Sequence, residues 1–180
     1  TAMQINFEDL KKEYNILIAG TVGSGKSVLL NDIIFNLLDA EPGTDAGQIE
    51  IYLIDPKRVE LHEYANLPHC AGYTDNVPGA INMLTSIIDI MDARYTEMRR
   101  RNLKKWDRGH IYILIDELSD IMITDAKRAT EKMAKLLQLS RAAGIHLIAC
   151  TQNPSRLALP AKIQVNFTCV IGLHCRSQIE

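Results

Sequence analysis

Five short apolar runs punctuate the chain. Between them lie longer stretches in which apolar residues recur at every third or fourth position. The runs are Asn15-Ile16-Leu17-Ile18-Ala19, Ile49-Glu50-Ile51-Tyr52-Leu53-Ile54, Ile111-Tyr112-Ile113-Leu114-Ile115, His146-Leu147-Ile148-Ala149-Cys150-Thr151 and Asn166-Phe167-Thr168-Cys169-Val170-Ile171-Gly172-Leu173. Their length and apolar character predict strands. Three stretches predict helices. Residues 28–38 read as a largely buried one. Residues from about 79 to about 101 place Ile81, Leu84, Ile87, Ile88, Met91 and Tyr95 at helical spacing. Residues from about 126 to 143 turn Met133, Leu136, Leu137 and Ala129 inward. Asn76 or Asp75 is a cap candidate, Pro78 suits a first turn, and Gly144 is a stop signal. Glu41-Pro42-Gly43-Thr44-Asp45-Ala46-Gly47 is turn-rich, and residues 62–76 read as irregular. No repeat or low-complexity tract interrupts the series. Alternating strands and helices imply a parallel sheet covered on both faces.

Between the first strand and the first helix lies Gly20-Thr21-Val22-Gly23-Ser24-Gly25-Lys26-Ser27. It fits G-x-x-x-x-G-K-[ST] at every fixed position, in the strand-to-helix setting that pattern requires. The glycines let backbone N–H groups converge on a phosphate, and the helix start adds partial positive charge. Lys26 is placed to neutralise β- and γ-phosphates, and the Ser27 hydroxyl to bind Mg²⁺. Residues 20–28, through Val28, therefore form the candidate nucleotide cradle. The third run ends in Asp116-Glu117. Acids also gather at helix starts for dipole reasons alone. About 90 residues after a phosphate loop, the pair reads as a metal carboxylate, Asp116 acting through water, and a water-polarising Glu117. The fourth run ends at Thr151-Gln152, where Gln152 can sense a γ-phosphate. Asp55-Pro56-Lys57-Arg58-Val59-Glu60-Leu61 leaves the carboxyl end of the second strand, which places it near the site. Because the strand ending in Asp116-Glu117 is separated in sequence from the phosphate-loop strand by another, a RecA-like core is expected. Counting the five strands in chain order, the expected sheet order is 5-1-4-3-2.

Bulk composition changes this picture little. The chain has 180 residues, 47% apolar and 23% charged, with a formal net charge of −2. That suits one globular domain, taken as a lead-in at 1–14 and a core at 15–180. A nucleic-acid surface would have to be local. Arg99-Arg100-Arg101, with Lys104, Lys105 and Arg108 beyond, is either a solvated helix end matched to the dipole or a contact for nucleic acid or another subunit. No apolar run is long enough to span a bilayer. Cys70, Cys150, Cys169 and Cys175 form no tight pair, which fits a reduced, cytoplasmic setting. His69-Cys70 and His174-Cys175 could each offer two metal ligands, but their spacings do not repeat.

Several of these stretches together resemble the FtsK/SpoIIIE motors. Residues 17–28 look like that family's phosphate loop, and residues 53–61 like another of its hallmarks. Leu67-Pro68-His69, Thr74-Asp75, Glu97-Met98-Arg99-Arg100-Arg101, residues 115–120, residues 141–147 and Thr151-Gln152 follow in the family's order. The resemblance runs from about residue 15 to about 173. It implies an ATP-driven pump for double-stranded DNA, built as a homo-oligomeric ring, hexameric in the family pattern, serving chromosome partition or conjugative transfer. It implies MgATP as the nucleotide. It also implies that Arg141 acts in trans on a neighbouring subunit's γ-phosphate, although alone it reads as a helix-end charge. Two departures stand out. Asn153 occupies a position where the family usually has arginine, with Arg156 three residues on. The family's membrane anchor and further modules have no counterpart in residues 1–180. A related protein-secretion ATPase and a nucleotide-binding scaffold without turnover are the alternatives.

Overall fold

The computed structural model describes residues 15–38, 49–155 and 158–174. Six strands form one sheet: β1 (Ile16–Ala19), β2 (Ile49–Ile54), β3 (Cys70–Thr74), β4 (His110–Ile115), β5 (Ile145–Thr151) and β6 (Cys169–Gly172). Their order is β3-β2-β4-β5-β1-β6, and every pairing is parallel. The five expected strands stand in the expected order. The sixth, β3, is the correction: residues 70–74, irregular by their sequence pattern, add an edge strand beside β2. This strand is mostly half-exposed and contains Gly72, so it lacks the apolar signature of the central strands. Residues 62–64 form a 3₁₀ turn in the same segment.

The helices are α1 (Lys26–Leu38), α2 (Val77–Arg100), α3 (Leu118–Thr124), α4 (Ala126–Leu139) and α5 (Ala161–Gln164). Asn76 caps α2, its side chain accepting from Gly79 N at 2.9 Å, with Pro78 in the first turn. Asp125 separates α3 from α4 and caps the latter. The helix expected over 126–143 stops as an α-helix at Leu139 and tightens into a 3₁₀ turn, Ser140–Ala143. Gly144 ends that turn at φ 67°, a left-handed conformation suited to glycine. Neither α3 nor α5 was expected. Both are short, seven and four residues, too brief to display a periodic face.

Strand alternation divides the interior into two cores. Leu17, Ile111, Ile113, Ile115, Leu147 and Ala149 meet α2, α3, α4 and α5 on one face. Ile16, Ile18, Leu53, Leu114, Ile148 and Cys150 meet α1 on the other. With both faces covered, β1, β4 and β5 bury nearly every residue, which explains their unbroken apolar runs. Asn15 fixes the start of β1: its side chain donates to Leu137 O and accepts from Leu147 N. The expected inward residues of α2 and α4 are buried, apart from Tyr95, which is half-buried. Among the described residues, no helix is long and apolar enough to cross a membrane.

Candidate nucleotide site

The carboxyl ends of β1, β4 and β5 converge. Gly20 N donates to Thr151 O at 3.2 Å, which ties the phosphate loop to the end of β5. Thr21 donates through both its N–H and its hydroxyl to His174 O, tying the loop to the segment after β6. Gly23 and Gly25 adopt φ values of 77° and 95°, a region an L side chain enters only with strain. A Cβ on Gly20 would lie 2.5 Å from Ser24 Oγ. The loop thus needs glycine at 20 for space and at 23 and 25 for conformation.

Lys26 is buried, and its ammonium folds back onto the loop, donating to Gly20 O at 2.7 Å and Thr21 O at 2.8 Å. Leu29 N donates to Gly25 O, so the N–H groups just before it open toward the loop rather than to helical carbonyls. The loop hydroxyl Ser24 Oγ is buried without a hydrogen-bond partner. Ser27 lies half-buried in the first turn of α1, while Val22 and Val28 are exposed on the rim. A cationic side chain, an open helix start and an unpartnered hydroxyl make a cradle suited to a polyphosphate.

Asp116 and Glu117 face this cradle from the end of β4 but live in different environments. Glu117 is 1% exposed and saturated with donors. Its Oε1 accepts from Ser119 Oγ at 2.6 Å and from Gln152 N at 3.1 Å. Its Oε2 accepts from Lys57 Nζ at 2.9 Å and from Gln152 N at 3.2 Å. Burial works against its charge, yet the hydrogen bonds from Ser119, Lys57 and Gln152 hold its carboxyl below the ordinary glutamate range. Asp116 has the opposite balance. Burial, followed by the negative charges of Asp55 and Glu60, pushes its carboxyl up to about 6. Asp55 is fully buried beside it: one oxygen accepts from Leu61 N at 3.0 Å, and the other has no partner. The charges acting on Asp116 are mostly negative, with Lys57 opposing them, and Asp116 and the Ser27 hydroxyl are oxygen donors of the kind magnesium takes. Among the described residues, no three His, Cys, Asp or Glu side chains cluster tightly enough to hold a metal alone. A cation here would depend on phosphate oxygens for much of its shell.

The loop expected near the site is there, and its contribution is the Lys57–Glu117 ion pair. The loop is pinned around it: Arg58 stands at φ 60° and pairs with Asp75 at 3.0 Å. The sequence places this loop near the site, but no local pattern in it marks a partner for Lys57. Gln152 also reaches the site, with its backbone N–H as the contact to Glu117. Arg141 does not join this cluster. It is exposed in the turn before β5, at the other end of a seven-residue strand, roughly 20 Å away along the sheet. Of the basic run, Arg100 pairs with Glu97 at 2.8 Å and Arg101 with Asp107 at 2.6 Å, which favours the reading as a solvated helix end. Arg156 and Cys175 lie outside the described residues, as do the lead-in at 1–14 and the turn-rich loop at 41–47.

Comparison with known proteins follows the same lines. The FtsK/SpoIIIE family model matches residues 4–113. The DNA translocase FtsK of Helicobacter pylori strain J99 is 36% identical over 186 residues, covering 96% of this chain and 22% of the relative. The DNA translocase SftA of Bacillus subtilis is 33% identical over 187 residues, covering 96% of this chain and 19% of the relative. The chain thus spans about a fifth of these relatives' length. Among solved structures, the conjugation coupling protein TcpA of pCW3, in monomer form with ATPγS, superposes with a TM-score of 0.74 at 27% identity, covering 89% of this chain and 49% of that one. The cytoplasmic domain of EssC superposes at 0.79 with 16% identity, covering 93% of this chain and 34% of that one, and shares the RecA-like fold.

Proposed function

The chain belongs to the FtsK/SpoIIIE family, and we propose that it is the ATP-hydrolysing core of a ring motor that moves double-stranded DNA. The observation that carries this reading is the link from loop 20–27 to the acidic end of β4: Gly20 N bonds Thr151 O, and the next residue, Gln152, bonds Glu117. The core spans residues 15–180, with residues 1–14 as its lead-in.

In this reading the loop N–H groups and Lys26 hold the β- and γ-phosphates. Lys26 leaves the carbonyls of Gly20 and Thr21 to do so, exchanging neutral acceptors for charged ones. Ser27 and, through water, Asp116 would hold Mg²⁺, which would offset charge on the phosphate oxygens. Glu117 orients the attacking water and accepts its proton. Both its oxygens are already engaged by donors, so this role requires Lys57 or Ser119 to yield one of them. The Gln152 backbone N–H donates to the Glu117 carboxylate, so a change at the γ-phosphate can pass directly into the loop that starts at Asn153.

Arg141 stands too far along the sheet to serve the cradle of its own chain. An adjacent copy would supply it in trans, where its planar, permanently charged guanidinium suits the transferring phosphoryl group. Hydrolysis would then depend on ring assembly, hexameric in the family pattern. DNA contacts should be to the backbone and indifferent to sequence.

The test is the ATPase rate of the full-length protein. Double-stranded DNA should stimulate it and a secreted polypeptide should not. Stimulation by the polypeptide with none by DNA would overturn the proposed cargo.

A further inference from the structure

We propose that Arg94, Tyr95 and Trp106 form a clamp that fixes the turn bearing Arg141, so that the arginine is presented at a set position to the nucleotide of an adjacent copy of this chain. The inference rests on the proposed action of Arg141 across a subunit boundary.

The turn is a place where backbone carbonyls run out of helical partners. α4 ends at Leu139, the 3₁₀ turn covers Ser140–Ala143, and Gly144 reverses the chain into β5. Such carbonyls are commonly satisfied locally or by water. Here side chains from α2, more than forty residues earlier, reach them. Tyr95 Oη donates to Leu139 O at 2.7 Å, just before Arg141. Arg94 Nη1 donates to Ala143 O at 2.8 Å and to Gly144 O at 3.3 Å, just after it. Two consecutive residues of one helix therefore bracket Arg141 from both sides. Trp106 adds a third hold through its backbone, the main-chain N–H donating to Ala142 O at 2.8 Å.

The clamp is itself braced. The Arg94 guanidinium lies 4.8 Å from the centre of the Trp106 ring, and that of Arg108 lies 5.6 Å from it. The indole N–H donates to Gly109 O at 3.2 Å. A Cβ on Gly144 would approach Trp106 Cδ1 to 3.1 Å and Arg94 Nη1 to 3.4 Å. Glycine at 144 thus serves the close approach of the clamp as well as the left-handed φ.

Arg141 is a long side chain on an exposed turn. A group that must meet a reacting phosphate across an interface needs its backbone origin fixed, because a misplacement of about 1 Å can cost about a hundredfold in rate. Both carbonyl bonds come from one nitrogen, Nη1, while the flat guanidinium lies over the indole; an ammonium can donate but has no planar face to lay on the ring. Arg94 is accordingly a positioning residue. It lies at the opposite end of the sheet from its own subunit's phosphate loop, so its loss should leave that loop's nucleotide affinity unchanged.

The experiment uses rings of the full-length protein with DNA present. Arg94→Met keeps an unbranched apolar stem and removes the guanidinium, and with it both carbonyl bonds and the contact over the Trp106 ring. It should lower kcat by about tenfold to a hundredfold, with the dissociation constant for ATPγS unchanged. Arg94→Lys should recover part of the loss. Rings mixed from Arg94→Met and Lys26→Ala subunits should regain activity, because one partner keeps an intact cradle and the other an intact clamp. Tyr95→Phe, which deletes one hydroxyl, should give a smaller fall in kcat with affinity again unchanged, and it serves if Arg94→Met does not fold. Wild-type kcat in Arg94→Met, or in Tyr95→Phe should that be the variant that folds, would overturn the clamp. So would weakened ATPγS binding, or a loss that mixing does not repair while mixed Arg141→Ala and Lys26→Ala rings do recover. If Arg141→Ala rings themselves keep full activity, the trans reading of Arg141 fails instead.

Discussion

The two ends of the sheet are built for different tasks. At the carboxyl ends of β1, β4 and β5, charged groups are folded onto partners within the chain. Lys26 rests on two loop carbonyls and Glu117 on Ser119, Lys57 and Gln152. A ligand arriving there must displace contacts that already exist. At the amino end of β5, neutral carbonyls are gripped by Arg94, Tyr95 and Trp106, and the exposed Arg141 rides on that mount. On the proposed reading, one end is a site that must rearrange, and the other is a support that must not. A single chain would then carry the receiving half of one nucleotide site and the donating half of the next.

The sharpest way to break this comparison is to place lesions at the same end or at opposite ends. Glu117→Gln should slow hydrolysis by about a thousandfold while ATPγS still binds. Rings mixed from Glu117→Gln and Lys26→Ala subunits should stay inactive, because both lesions damage the receiving half. Steady-state ATPase of the mixture is the readout, and recovery would show that Glu117 works at the donating end.

A smaller effect should appear at Asp116, and its sign is set by the raised carboxyl. The folded-state value of about 6 lies above the ordinary aspartate value. Its contribution to stability is therefore full below pH about 4 and is lost as pH rises through about 6. At pH 7.5 the nucleotide-free fold bears the cost of the charge. Asp116→Asn should raise its stability there by up to about 3 kcal/mol, with little change at pH 3.5, as read from urea unfolding at the two pH values. Equal effects at both would place the charge outside this crowded corner. In the wild type, MgATPγS affinity should weaken below pH about 6, as protons compete with the cation.

Lys57 gives the smallest of these effects. Lys57→Met strips a charged donor from a carboxylate that stays buried, so it should destabilise the nucleotide-free fold by about 1–2 kcal/mol. In the Glu117→Gln background the same change should cost little. A double-mutant cycle measures the difference, and full additivity would mean that the ion pair contributes nothing.

How far the sequence disclosed this depended on the range of the interaction. Gly20 to Ser27 and Asp116-Glu117 are local patterns set against strand runs, and they were readable at once. The order of five strands followed from their alternation with helices and from where the acidic pair falls. Contacts between distant segments were not readable. Lys57 meets Glu117 across sixty residues, and Arg94 meets Ala143 across forty-nine. β3 escaped because an edge strand buried on neither face needs no continuous apolar run, and Gly72 weakens what pattern there is. The bond from Gln152 to Glu117 is made by a backbone N–H, which leaves no mark in the choice of residue.

Titration of MgATPγS into the wild-type chain and into Lys26→Ala, followed by calorimetry, tests most directly whether nucleotide nests between residues 20–27 and the acidic pair. One nucleotide should bind per wild-type chain, with affinity falling at least a hundredfold in Lys26→Ala, a loss of about 2.7 kcal/mol. Equal, tight binding by both proteins would contradict it.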